Sequence, residues 1–438
     1  MNRALPRVAL VVLIVGLALH NLVMGLLTGA GVTGGALDVV SAWKELVLLA
    51  ALVAAALAAG SLPRLMLADR LVVVYAAFVF LYLLLPQSWL DGSATTRGEL
   101  YALRHHLLPV AAYALGRLLA LEGHWWRRIG VAIVGTGAGL AVWGLADVYL
   151  VPLSWWRDSG IPDWFRTELG LDSECLAFPE NWIFNTGDEQ NPLRRLVSTF
   201  LTPLASGYLL VVALLLLACL RPRRLTVAAS AALGAGLLWT HTRSAYLGLA
   251  VGLVVLALVR RSWRPAALAG GWSVLAVVFV VAFPTIGPGT SYTPDELICL
   301  RENAAEEGGE GSALWQDSSS ESHWRNLRDG VSTVLRHPLG FGLGNAGVNA
   351  SRTGVEVRAG ESTYTELGVD LGLLGALAFS AWLGALIAAL RHRSAWLTAS
   401  LAAVAVIGLQ TDVIGIHWLA VVVFALAGAA VRDAPPPA

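Results

Sequence analysis

The residues with the clearest chemical use are arginines. Of 30 basic side chains, all but Lys44 are arginine. Arg104, Arg194, Arg195 and Arg243 each stand at or beside the end of a long apolar run. One such guanidinium is accounted for by snorkelling to a membrane interface. Four of them suggest a shared anion. A guanidinium fork stays charged and grips phosphate at two points. An anion held at a membrane surface on an apolar tail has the chemistry of a polyprenyl diphosphate. Glu361 places a carboxylate at the mouth of another apolar run. A carboxylate there can take a proton from a hydroxyl group. It is also favoured simply by the positive end of the following helix.

Other patterns carry less. Gly342-Leu-Gly344-Asn-Ala-Gly347 spells a dinucleotide fingerprint but follows a helical stretch rather than a strand, so no nucleotide is expected. The chain has no H-E-x-x-H, C-x-x-C or D-x-D sequence, and no metal or other cofactor is expected. His105 and His106 read as interfacial, and Gly248-x-x-x-Gly252 as a close helix contact.

The elements that must position these residues are membrane helices. Hydrophobic residues make up 56% of the 438 and charged residues 14%. Ordinary soluble domains are about 25% charged. A zero formal net charge excludes a nucleic-acid partner, which demands a basic face. Apolar runs cover 8–29, 40–60, 71–87, 101–121, 129–150, 196–220, 225–240, 244–259, 265–284, 364–390, 395–411 and 413–431. At about 20 residues per span, the chain reads as an all-α, polytopic integral membrane protein with about 12 transmembrane helices. The first run is expected to be a retained helix rather than a signal peptide.

Arginines set the orientation. With the N-terminus inside, alternate connections hold Arg64 and Arg70, Arg127 and Arg128, Arg221 to Arg224, Arg260 to Arg264, and Arg391 and Arg393. The positive-inside rule is then satisfied. The expected organisation is helices 1–5 in 1–150, an extracytoplasmic loop at 151–195, helices 6–9 in 196–284, and a large extracytoplasmic loop at 285–363. Helices 10–12 and a short cytoplasmic tail complete it in 364–438. Within the large loop, Ser322–Leu335 reads as helical, ended by Pro338. Glu306–Gly311 reads as a flexible surface stretch. Cys175 and Cys299 fall one in each loop, where an oxidising exterior permits a disulfide between them.

A resemblance then enters. Glu361-Ser362-Thr363-Tyr364, followed by Asp370-x-Gly372-Leu-Leu-Gly375, resembles the signature of the O-antigen ligase and O-antigen polymerase superfamily. That signature is a His, then Asn, Ser or Gln, nine residues, and Gly-x-x-Gly at the head of a span. Arg336-His337-Pro338-Leu-Gly340-Phe-Gly342-Leu-Gly344 is similar to the family's Pro-Gly segment. Arg195-Leu-Val-Ser198 through Pro203 is similar to its arginine-bearing approach to a middle span. Thr242-Arg243-Ser244 through Gly248 is similar to its Ser-Arg segment. Glu361 replaces the leading His, as an acid does in polymerase-like members. His323-Trp324, with Arg325 and Arg328 just after, stands where the family commonly has an arginine.

The resemblance implies a C-type glycosyltransferase-like fold. It implies a membrane glycosyltransferase that polymerises or ligates polyprenyl-diphosphate-linked oligosaccharides at the extracytoplasmic face of a bacterial inner membrane, metal-independent and inverting. The implied partners are a lipid-linked glycan donor, a glycan acceptor, the bilayer and other polysaccharide assembly proteins. Glu361 is the implied base. Arg195, Arg243, Arg194, Arg325 and Arg328 are the implied diphosphate ligands, with His323, Tyr364 and Asp370 in support. The competing reading is a transporter or flippase of lipid-linked glycans, and a blander one is a structural subunit of an assembly complex. The major-facilitator motif is missing at Ser61–Arg70, and the charges gather at helix ends rather than deep in a bundle.

Overall fold

The computed structural model describes residues 4–59, 63–171, 175–186, 188, 190–306 and 319–432. Helices dominate it, and the described sheet is a single pair of two-residue strands, Ile183–Phe184 and Leu193–Arg194. Each apolar run of the sequence lies over a helix. Seven helical stretches are long and apolar enough to cross a membrane: Leu5–Gly29, Gly34–Ala58, Leu67–Leu84, Gly123–Leu150, Arg243–Arg260, Trp263–Ile286 and Thr363–Leu390. Pro203–Leu217, Arg224–Trp239, Ala395–Ile407 and Leu419–Arg432 are shorter apolar helices. Thr96–Leu118 completes the set and carries Arg97, Glu99, Arg104, His105 and His106 along its first half. The chain is a polytopic, multi-pass membrane protein.

Two helices form the hub. Pro203–Leu217 is apolar all round and buries every residue but Leu204 and Leu214. Phe424–Val431 is buried throughout. Such helices need protein on every side. Trp263–Ile286 is the opposite case, with Val274, Val277, Val278 and Val281 all exposed. A contiguous apolar face of that kind is at home in lipid.

The run 196–220 is not one helix. Its first part is irregular, with a short 3-10 turn at Ser198–Phe200, and the helix begins only at Pro203. Distant groups satisfy the freed backbone and side chains. Leu196 N–H donates to Trp239 O at 2.9 Å, Ser198 Oγ to Leu140 O at 2.9 Å, and Thr199 Oγ1 to Ala18 O at 2.6 Å. Irregular backbone survives among membrane helices only where protein supplies such partners.

The long loops at 151–195 and 285–363 contain short helices and are tied to each other. Cys175 and Cys299 form a disulfide with a Cα–Cα distance of 5.4 Å. Arg157 Nη2 meets Glu296 Oε2 at 2.7 Å, and Ser351 Oγ donates to Gly170 O at 2.8 Å. The helical stretch expected at Ser322–Leu335 is Ser319–Arg336. Residues 307–311 of the Gly-rich stretch lie outside the described residues.

Candidate active site

The head of helix Thr363–Leu390 is set by a break further along it. Gly372 has φ 69° and ψ 173°, a conformation open essentially to glycine alone. The break frees the Val369 carbonyl and the Leu373 N–H. Phe341 N–H donates to Val369 O at 2.6 Å, and Leu373 N–H donates to Pro338 O at 2.8 Å. The Pro-Gly segment therefore plugs directly into the opened helix. A Cβ at Gly340 would stand 2.6 Å from the Gly372 nitrogen, so both glycines are required for this approach. Tyr82 Oη donates to Leu339 O at 2.6 Å and clamps the joint. Tyr364, a supporting residue by sequence, donates to Ala405 O at 2.8 Å and ties the same helix to Ala395–Ile407.

Glu361 sits just ahead of that helix with φ 68°. A left-handed conformation costs a non-glycine residue roughly 1–2 kcal/mol, and such residues concentrate at functional sites. Its Oε2 meets His323 Nδ1 on helix Ser319–Arg336. Both side chains keep about two-fifths of their surface exposed, 41% for Glu361 and 43% for His323. The His323 hydrogen bond holds the Glu361 carboxyl below the usual carboxylate range, against the opposing pull of burial. Asn326 adds a further hydrogen bond. Gly330 packs on Thr365 and Val334 on Gly368, which fixes the helix that carries His323.

The predicted arginines separate. Arg194 is consumed by the fold: it pairs with buried Asp147 at 3.0 Å and also donates to the Asp147 and Val151 carbonyls. Its guanidinium is thus committed away from any ligand, which corrects the sequence expectation. Arg195 bonds only neutral groups, Thr240 O at 3.0 Å and Thr242 Oγ1 at 3.3 Å. Burial, joined by the charge of Arg243, pushes its guanidinium down to about 10. Burial and then the charges of Arg195 and Arg243 push the His241 imidazole down to about 3. His241 Nε2 is buried without a hydrogen-bond partner. Arg195, His241 and Arg243 therefore lie close enough to share one region of positive potential. Arg325 and Arg328 are exposed and make no ion pair among the described residues.

Sequence reasoning missed the polar groups beneath this surface. His105 and His106, expected at an interface, are paired inside the protein. His105 Nε2 meets Asp412 Oδ2 at 3.2 Å, and His106 Nε2 meets Asp370 Oδ2 at 2.9 Å. Asp370 also accepts the Asn345 N–H at 3.1 Å, and Tyr75 Oη lies 3.2 Å from His106 Nδ1. Glu366, also buried, packs against Gly347. Thr411, next to Asp412, lies 2.7 Å from Tyr208 Oη, which is 2.9 Å from Ser244 Oγ. The loop 408–416 thereby joins the neighbour of Arg243 to the neighbour of Arg104. The signal in the sequence was the His-His pair itself: intramembrane ionisable residues are expected to be partnered.

Residues 228–380 match the family model described as O-Antigen ligase. This segment, about a third of the chain, is similar to the O-antigen ligase family. It contains Arg243, His323, Glu361, Asp370 and the Gly372 break; Arg195, His105 and Asp412 lie outside it. No curated protein matches the chain. The match, set among membrane-spanning helices, supports a part in O-antigen ligase or polymerase-type membrane glycan biosynthesis.

Proposed function

We propose that the protein polymerises polyprenyl-diphosphate-linked oligosaccharides at the extracytoplasmic face of a bacterial inner membrane. In this reading the 151–195 and 285–363 loops lie outside, both termini lie in the cytoplasm, and the five 1–150, 151–195, 196–284, 285–363 and 364–438 segments keep the roles given above. The observation that carries the chemistry is the contact of His323 with Glu361 at the head of the helix that bears the family signature.

The reaction is a displacement. An acceptor hydroxyl oxygen attacks the donor's anomeric carbon as the bond from that carbon to the diphosphate oxygen breaks. The lipid diphosphate leaves with the electron pair, and the hydroxyl proton passes to the His323–Glu361 pair. Glu361 accepts the Nδ1–H of His323 and leaves Nε2 for the proton, the arrangement by which a carboxylate orients an imidazole base. Backside attack inverts the anomeric centre. Arg195 and Arg243 offset the charge that develops on the leaving diphosphate, with His241 beside them. Because that group leaves as a stabilised anion, charge compensation by guanidinium groups suffices without a metal.

The rival reading, a flippase, moves the lipid-linked glycan without changing it. Purified protein in nanodiscs, given lipid-linked oligosaccharide, separates the two. Longer glycans together with released polyprenyl diphosphate support the transferase, and unchanged glycans oppose it.

A further inference from the structure

A second group of cations lies on the other side of the 408–416 loop, and the reaction above does not use it. Arg97, Tyr101 and Arg104 follow one stripe of helix Thr96–Leu118, and Arg352 closes on them from helix Gly347–Arg352. The three guanidinium carbons stand 5.3, 5.6 and 4.3 Å from the Tyr101 ring centroid for Arg97, Arg104 and Arg352. Lys44, the chain's single lysine, adds a fourth cation beside Glu45. Side-chain exposure falls from 64% at Arg97 through 33% at Arg104 and 17% at Arg352 to 2% at Lys44, so the group runs from the surface into the protein.

Carboxylates do not saturate it. Asp38 stands 3.5 Å from Arg97 and 3.8 Å from Arg352. Glu45 stands 3.5 Å from Lys44 and 3.6 Å from Arg104. Glu168 spends one oxygen on the Gly34 N–H. Like charges gathered round one ring repel, and a low-dielectric interior strengthens the repulsion. Arg352 Nε is buried with no hydrogen-bond partner, and Glu45 Oε1 is held only by its ion-pair contacts to Lys44 and Arg104. A bound oxyanion would fill the open guanidinium donors and relieve the repulsion.

The polymerisation chemistry, on which this inference rests, calls for such a ligand. Each transfer strips the donor glycan of its lipid diphosphate. The product can enter another cycle only if a lipid diphosphate remains attached to it, and that group can come only from the acceptor. Donor and acceptor therefore each bring a diphosphate head to the same outer surface. We infer that Arg97, Arg104, Arg352 and Lys44 form a second diphosphate subsite, which holds the acceptor's lipid carrier while Arg195 and Arg243 hold the donor's. Loop 408–416 is the wall shared by the two subsites. Asp412 on it meets His105, the neighbour of Arg104; Thr411 on it reaches Ser244, the neighbour of Arg243, through Tyr208. Glu361 abuts the same loop through Ser362, whose Oγ donates to Gly408 O at 3.1 Å.

The test is binding, which is independent of whether transfer occurs. Full-length protein in nanodiscs is titrated with undecaprenyl diphosphate. Wild type is expected to take up two equivalents. Arg104→Gln with Arg352→Gln is expected to take up one, or to weaken the second by at least about tenfold. Arg195→Gln with Arg243→Gln should lose the other equivalent. Arg352→Lys, which keeps the charge, serves as the folded control and should retain partial second-site binding. A single equivalent in wild type, or two undiminished equivalents in the Arg104/Arg352 variant, overturns the proposal. Displacement of the second equivalent by inorganic diphosphate supports a diphosphate ligand; displacement by glucuronate alone would assign the cations to an acidic sugar and also overturns it.

Discussion

The imidazole of His323 meets the carboxylate of Glu361 across 38 residues of chain. The family signature puts a histidine at the position that Glu361 occupies here. This protein instead has an acid at that position and an imidazole supplied from the preceding amphipathic helix. In the proposed mechanism, base and orienting partner are divided between two elements, which the Pro338–Gly344 segment, locked into the Gly372 break, helps to hold together.

That division has a pH consequence. Glu361 is held below the ordinary carboxylate value of about 4.3. A lowered folded-state value means the linked stability is full above the unfolded value and is lost as pH falls through the folded one. Docking of helix Ser319–Arg336 should therefore persist from neutral pH to below about pH 4.3 and then weaken. Hydrogen exchange along that helix across an acid titration measures it, and Glu361→Gln should remove the dependence.

Arg195 and Arg243 test the proposed donor subsite. Lysine keeps the charge and loses the fork. Arg195→Lys and Arg243→Lys should each weaken polyprenyl diphosphate binding roughly tenfold or more, since hydrogen bonds to charged groups are worth about 1.5–3 kcal/mol. Equal affinity in both variants by direct titration would remove these residues from the site.

Arg194 gives the contrasting result. Its pair with Asp147 is buried, and removing one partner should cost about 3–5 kcal/mol. Arg194→Ala should lower the thermal midpoint sharply. Arg194→Met combined with Asp147→Leu should recover much of it, because neither charge is then stranded. A ligand-binding arginine would give the reverse: a stable single variant with weak binding.

Gly372→Ala tests the helix break. The backbone term alone should cost about 1–3 kcal/mol, and the new Cβ would lie 2.6 Å from Tyr82 Oη. Thermal unfolding should show the loss, together with reduced transfer activity as Glu361 shifts. A variant as stable and active as wild type would mean the break does not position the site.

Membrane sidedness is tested by labelling. In a Cys219→Ala background, Arg325→Cys should react with an impermeant maleimide on intact cells and Arg391→Cys should not. The opposite pattern inverts the proposed topology.

Most of the helices were legible because each span is a long apolar run, and the arginine-bearing ends could be sorted by the alternation of connections. The irregular stretch 196–202 was not, because Leu196, Val197 and Leu201 are as apolar as any spanning helix. What bends the chain there is hydrogen bonding to Ala18, Leu140 and Trp239, groups far away in sequence. The same reason hid the fate of Arg194. Its neighbour Arg195 looks identical in one dimension, and only the approach of Asp147 distinguishes them. Glu361 and His323 were each visible as chemical groups, but their contact belongs to tertiary structure. The His105–Asp412 and His106–Asp370 pairs lay hidden for that reason too.

The proposed mechanism has the His323–Glu361 pair take the acceptor proton. The most direct measurement is single-turnover transfer by purified Glu361→Gln and His323→Gln proteins, with donor binding titrated in parallel. Both variants should bind polyprenyl diphosphate as wild type does and turn over roughly 10²–10⁴-fold more slowly. Transfer at the wild-type rate by either variant, with binding intact, would contradict the claim and place the base elsewhere.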